Sequence, residues 1–272
     1  MPSRRTVLAT GGLATLAAVV LAACGKSSDT QAASGPKKPT VRVEFTPSLT
    51  DEAAPNPTAK VEVKAIDGVL NPDVKLLNPS GKAITGTMSD DRTTFTVTEP
   101  LGYGTTYTWQ GSATGYDRMS TPVEGKFTTL DPKTQLNVVV NIADGQEVGI
   151  AAPLILKFDG TVDNKEAVEK ALTLTTEPPT EGAWAWLGED NGSRVHWRSK
   201  EYMAPGTKIH MSAKLYGLDH GDGAYGAADV TSDYVVGRSQ VVKADAGSHQ
   251  IVVVRDGATL MTLPCSYGQG DV

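Results

Sequence analysis

An all-β protein, built as two tandem β-sandwiches with further strands behind them, is what this sequence predicts. Three observations carry that prediction. The 272 residues include 28 Gly and 16 Pro but only 6% aromatic side chains, a balance that suits short strands and tight turns. Apolar residues recur with a period of two along most of the chain, and turn residues such as Asn78-Pro79-Ser80-Gly81 close the runs. Only one stretch, DNKEAVEKAL, carries a helical pattern.

The N-terminus reads as an export leader. Paired arginines in SRRTVLAT precede a stretch from Thr6 to Ala23 without a charge, and LAAC ends it at Cys24. Ala22 and Ala23 before Cys24 match a bacterial lipobox, so residues 1–23 are expected to be a signal peptide and the Cys24 sulfur to carry a diacylglycerol thioether. The uncharged stretch sits at the short limit for a membrane span and ends in polar Gly25–Ser28, which favours a lipidated tether over a transmembrane helix. Ser3-Arg4-Arg5 also resembles a twin-arginine signal, which leaves the export route open. GKS at Gly25–Ser27 is no phosphate loop, because the first glycine such a loop needs would fall at Val20.

Residues 24–39 are mostly Ser, Ala, Gly, Pro and Lys without apolar periodicity, a flexible spacer. The first sandwich is expected over 40–131. Val41, Val43 and Phe45 alternate with polar neighbours, as do Val61, Val63 and Ala65, then Phe95 and Val97, then Tyr107, Trp109, Gly111 and Ala113. Between Cys24 and Cys265 the chain has no cysteine, so an inter-sheet disulfide is excluded and Trp109 is the expected core anchor.

Pro132 in LDPKTQL breaks the pattern, and the second sandwich is expected over 134–230. Leu154, Leu156 and Phe158 alternate, as do Trp184 with Trp186, Val195 with Trp197, and Ile209, Met211, Ala213 and Leu215. In the helical stretch, Asp163 and Glu166 have capping-box spacing, and Ala167, Ala171 and Leu172 give an apolar side. Leu101–Ala113 and Met203–Leu215 both place a glycine turn before an alternating strand, a weak internal repeat. Residues 231–272 then read as a linker and an opening hairpin, with Asp256-Gly257 as its turn between Ile251–Val254 and Leu260–Leu263. A lone hairpin is marginal in water, so it needs partners.

Few residues offer chemistry. Removing Arg4 and Arg5 with the leader takes the formal charge from −6 to −8, and with no basic cluster after Lys37-Lys38 nucleic acid is not an expected partner. His196 and His210 fall in the polar phase of their strands and read as surface imidazoles. His220, between Asp219 and Asp222 in a glycine-rich stretch, reads as a linker-loop residue rather than a metal ligand, and neither metal nor cofactor is expected. Trp184, Trp186 and Trp197 fit a core better than a sugar-stacking surface. Cys265 has no base among its sequence neighbours, with only His249 able to approach across the hairpin, so it reads as a buried or half-buried strand cysteine.

Taken in order, the lipobox, tether, two disulfide-free immunoglobulin-like sandwiches and opening β-strands resemble the multi-domain, lipid-anchored L,D-transpeptidases of bacterial cell walls. KLYGLDHGDGAYGAADVTSDYVVGRSQVV (Lys214–Val242) and AGSHQIVVVRDGATLMTLPCSYGQGD (Ala246–Asp271) carry the closest likeness. The resemblance implies cysteine acyl transfer between peptidoglycan stem peptides, on the outer face of the cell membrane, with carbapenems as acylating agents. It also implies a catalytic histidine and a Ser/Thr-His-Gly-Cys motif, and residues 1–272 contain no His-Gly-Cys. The catalytic domain is therefore expected to be incomplete and no catalytic role passes to any residue here. The competing reading is a non-catalytic lipoprotein that binds or spaces the cell wall.

Overall fold

The computed structural model of the protein describes residues 40–188 and 193–266. The expected signal peptide, Cys24 and the tether lie outside the described residues. The first sandwich begins with β1 (Arg42–Thr46), β2 (Glu62–Ile66), β3 (Gly68–Leu70), β4 (Lys75–Leu77) and β5 (Gly86–Met88). It continues with β6 (Thr94–Val97), β7 (Thr106–Gln110), β8 (Ser112–Gly115), β9 (Ser120–Pro122) and β10 (Gly125–Thr128). One sheet has the order β1-β2-β6-β5, and facing it lie β10-β7-β4 and β3-β8-β9.

The expected period-two positions meet between these sheets. Val63, Leu76 and Ala113 are fully buried, and Trp109, with 1% of its surface exposed, is the largest side chain sealed in this core. Phe45 and Phe95 come from the opposite sheet to within 6.1 Å of the Trp109 ring, Phe95 edge-on. The expected single run from Tyr107 to Ala113 is two strands. Gly111 divides them with a φ of 142°, where a Cβ would stand 2.6 Å from Val74 Cα, and the chain passes there from one sheet to the other.

In the second sandwich the chain runs β11 (Thr134–Leu136), β12 (Val138–Val140), β13 (Glu147–Val148), β14 (Leu154–Phe158), then helix α1 (Lys165–Ala171). After it come β15 (Leu172–Glu177), β16 (Gly182–Trp186), β17 (Arg194–Ser199) and β18 (Lys208–Ala213). β19 (Asp219–Gly221), β20 (Ala224–Gly226) and β21 (Val230–Val236) complete it. Its sheets are β12-β14-β17-β16, β13-β21-β18-β15 and β11-β20-β19. Leu154, Leu156, Val195 and Met211 are fully buried between them.

Three expectations change here. α1 is capped at Asn164, not Asp163, without a side-chain capping bond, and its one buried residue is Val168, while Leu172 opens β15. The stretch read as a glycine-rich linker is structural: β19 and β20 form a hairpin, and β20 pairs in parallel with β11. A boundary at 230 also cuts at β21, which pairs with β18 over six positions from Lys208↔Val235 to Ala213↔Val230 and therefore belongs to the second sandwich.

Beyond Gly237 a third sheet follows, β22 (Gln240–Asp245), β23 (Gln250–Arg255) and β24 (Ala258–Pro264), in that order. Asp256 (φ 48°) and Gly257 (φ 83°) both take left-handed conformations, as a two-residue hairpin turn requires, so the expected turn is the observed one. The hairpin is not alone, because β22 pairs along the whole of β23. QVVKAD hides its strand character by setting two valines side by side, one toward each face.

Candidate functional site

The third sheet is where the resemblance would begin its catalytic domain, and its two faces differ. Register places Val242, Val253 and Met261 side by side across the three strands, and next to them Ala244, Ile251 and Leu263. Directly paired residues of antiparallel strands share a face, so these six make a continuous apolar stripe. Val242, Met261 and Leu263 keep 57%, 45% and 47% of their surfaces exposed. On the other face Val241 packs against the core of the second sandwich. Gly237 leads into the sheet, its amide donating to the Val148 carbonyl at 2.8 Å.

Cys265 follows β24, and its amide donates to the His249 carbonyl at 2.9 Å, so the two residues do meet across the sheet. The contact is between backbones. Cys265 is a free, half-buried cysteine.

The other candidates scatter. His210 is exposed on β18, its Nδ1 2.8 Å from Asp233 Oδ1, and His196 is half-buried on β17, level with Ile155 and Ala185. His220 departs from the linker-loop reading: it is fully buried, its ring edge-on to Phe158 at 5.5 Å, and neither ring nitrogen has a hydrogen-bond partner among the described residues. Burial holds its pKa below the ordinary 6.5, with the negative charge of Asp219 opposing. The flanking carboxylates turn elsewhere. Asp222 accepts from Lys133 Nζ at 2.8 Å, which keeps its pKa below the usual carboxylate range, and Asp219 Oδ1 accepts from the Gly221 amide at 2.8 Å. Trp197 is buried in the core as its phase implied, while Trp184 and Trp186 pack against that core half-buried, and Lys165 Nζ lies 5.6 Å over the Trp186 ring.

Residues 52–219 match the model of the bacterial Ig domain, well over half of the chain. The chain belongs to the bacterial Ig domain family. Its Ig-type sandwiches also have relatives with further parts. L,D-transpeptidase 5 of Mycobacterium tuberculosis (strain ATCC 25618 / H37Rv) is 50% identical over 272 residues, a match covering 99% of this chain and 59% of that protein. L,D-transpeptidase 2 of Mycobacterium tuberculosis (strain CDC 1551 / Oshkosh) is 33% identical over 227 residues, 83% of this chain and 54% of that protein. The resemblance read from the sequence is borne out by these relatives, of which the bacterial Ig chain spans rather more than half the length. A solved L,D-transpeptidase in complex with imipenem is 26% identical, covering 49% of this chain and 55% of its own, with a TM-score of 0.40, too low to add a structural argument.

Proposed function

We propose that residues 1–272 are the anchored, two-sandwich part of a peptidoglycan L,D-transpeptidase, together with the opening sheet of its catalytic domain. The observation that carries this reading is the 50% identity to L,D-transpeptidase 5 along 99% of the chain, which takes in the third sheet as well as the sandwiches. In the proposed reaction a cysteine thiolate attacks the amide that follows the L-centre of a tetrapeptide donor. A C–S bond forms, the C–N bond breaks, and the leaving amine takes up a proton; an acceptor amine on a second stem peptide then displaces the thiolate and restores the amide. An activated thiolate needs a histidine within hydrogen-bond reach and backbone donors for the oxyanion. No Ser/Thr-His-Gly sequence precedes Cys265, and we assign the thiol to a Ser/Thr-His-Gly-Cys segment outside 1–272.

The mature chain 24–272 is therefore expected to form no thioester with a stem tetrapeptide and no carbapenem adduct by intact-mass measurement. A longer chain that adds the Ser/Thr-His-Gly-Cys segment is expected to form both. A stoichiometric adduct on Cys265 of the short chain would reverse the assignment. Binding of the short chain to insoluble peptidoglycan, with no activity in the long one, would favour the wall-spacing lipoprotein.

Anchoring through Cys24 belongs to the same proposal and rests on LAAC behind an uncharged leader. Two acyl chains on one residue meet the requirement for stable membrane attachment. Cys24→Ala is expected to leave the protein either unprocessed, with its leader still attached, or unanchored on membrane fractionation, whereas a membrane-bound wild-type protein with Met1 intact would contradict lipidation. Among the described residues no helix is long and apolar enough to cross a membrane.

A further inference from the structure

The joint between the sandwiches is built from side chains with no part in the proposed chemistry. Both sandwiches belong to one compact unit, Lys38–Val272. From the first, Tyr103 reaches across so that its hydroxyl accepts from the Gly217 amide and donates to the Gly226 carbonyl, each at 2.8 Å. From the second, Tyr216 returns the contact, its hydroxyl donating to the Leu101 carbonyl at 2.5 Å. The two rings lie 5.0 Å apart, centre to centre.

Asn56 adds a third tie. Its Oδ1 is held by the Thr58 amide and hydroxyl, at 2.9 and 2.7 Å, which turns its NH2 group toward the Gly217 carbonyl at 2.6 Å. Gly217 thus gives both of its backbone groups to the first sandwich. Only glycine fits there, since φ is +76° and a Cβ would stand 2.6 Å from Asn56 Oδ1. Burial raises the pKa of both Tyr103 and Tyr216, so the two hydroxyls stay protonated and able to donate across the physiological range.

We propose that Tyr103 and Tyr216 form a reciprocal clasp that fixes the angle between the two sandwiches and makes them unfold as one unit. Domains in one chain move relative to each other by default unless their interface is strong. Here each hydroxyl joins a backbone group of the opposite domain, and Tyr103 is saturated as donor and acceptor at once. The joint also lies between the chain's entry and exit. β7 and β8 lead away from it to Asp117, whose carboxylate accepts from the Thr40 hydroxyl at 2.7 Å, and β21 leads away from it to Val236 and the third sheet. An angle fixed at the clasp therefore fixes the third sheet relative to the point where the chain enters.

Calorimetry on the 24–272 chain tests the clasp. The wild type is expected to unfold in one transition, and Tyr103→Phe combined with Tyr216→Phe, which keeps both rings, to separate it into two with midpoints about 5 °C or more apart. Tyr116→Phe, on the exposed hairpin tip, is the control and should leave one transition. Small-angle scattering should show the double variant with a broadened distribution of interatomic distances. Asn56→Ala, which removes the tie to Gly217 and leaves both tyrosines in place, should move in the same direction by less, and it stands in if the double variant fails to fold. Two transitions in the wild type, or an unsplit transition with unchanged scattering in both Tyr103→Phe/Tyr216→Phe and Asn56→Ala, would overturn the proposal.

Discussion

Trp109→Ala is expected to remove roughly 3–5 kcal/mol from the stability of the first sandwich, enough to leave it marginal or unfolded at 37 °C. The magnitude follows from what surrounds the ring. Trp109 is 1% exposed, and Phe45 and Phe95 from the facing sheet both come within 6.1 Å of it. A side chain of this size buries about 150–250 Å², and at about 25 cal/mol per Å² its removal costs several kcal/mol before the cavity is counted. No disulfide bridges the sheets, because the chain's two cysteines are Cys24 and Cys265. The collapse of Phe45 and Phe95 into the gap is resisted by their own strands, β1 and β6, which are both paired to β2. Urea unfolding followed by circular dichroism measures the loss. A change below about 1 kcal/mol would mean that the ring faces solvent and is not a core residue.

Trp109 and its neighbours were legible in the sequence because alternation is a local property. A residue's phase within its own strand decides its face, and Val63, Tyr107, Leu156 and Met211 all needed only that rule. The glycine-rich stretch from Gly217 to Gly226 defeated it for a physical reason. Glycine marks a flexible linker when nothing approaches, and it marks close packing when something does; composition does not distinguish the two. Gly217 faces Asn56 and Thr58, more than 150 residues back in the chain, and a Cβ on Gly226 would lie 2.0 Å from the Leu215 carbonyl oxygen. The clasp was hidden in the same way, since Tyr103 and Tyr216 become a pair only through tertiary contact. β22 was missed because its valines sit adjacent, at 241 and 242, one on the sandwich and one on the exposed face. As for the candidate site, pattern alone could show that Cys265 had no base beside it, but not that its meeting with His249 runs through the backbone.

His220 leads to the other large effect, an acid-sensitive second sandwich. The ring is fully buried against Phe158, and its two nitrogens have no partner among the described residues to share a proton with. Charging it in place would put a cation into an apolar interior, so burial lowers its pKa, and Asp219 opposes this only in part. Of the other nearby charges, Asp163 packs against Gly221, and Asp222 is already paired with Lys133. In the unfolded chain the imidazole titrates near 6.5, and in the folded chain it titrates lower. Below 6.5 the unfolded state therefore binds the extra proton. Stability is full above that pH, falls as pH drops toward the folded-state value, and levels off beneath it. The steepest loss for one such proton is about 1.4 kcal/mol per pH unit. The carboxylates whose pKa values the fold lowers act with the same sign but titrate in a more acidic window, and the chain's other three histidines are common to wild type and variant, so the difference between wild type and His220→Leu over pH 5.0–6.5 reports His220. His220→Leu keeps an apolar side chain of similar size in the site and removes the titration. It is expected to match or exceed the wild type at pH 7.5 and to lose much less stability between pH 6.5 and 5.0, as read by urea unfolding of both proteins at each pH. If the two stability curves run parallel through that window, the folded protein accepts the proton at His220 and the ring is not sealed in the core.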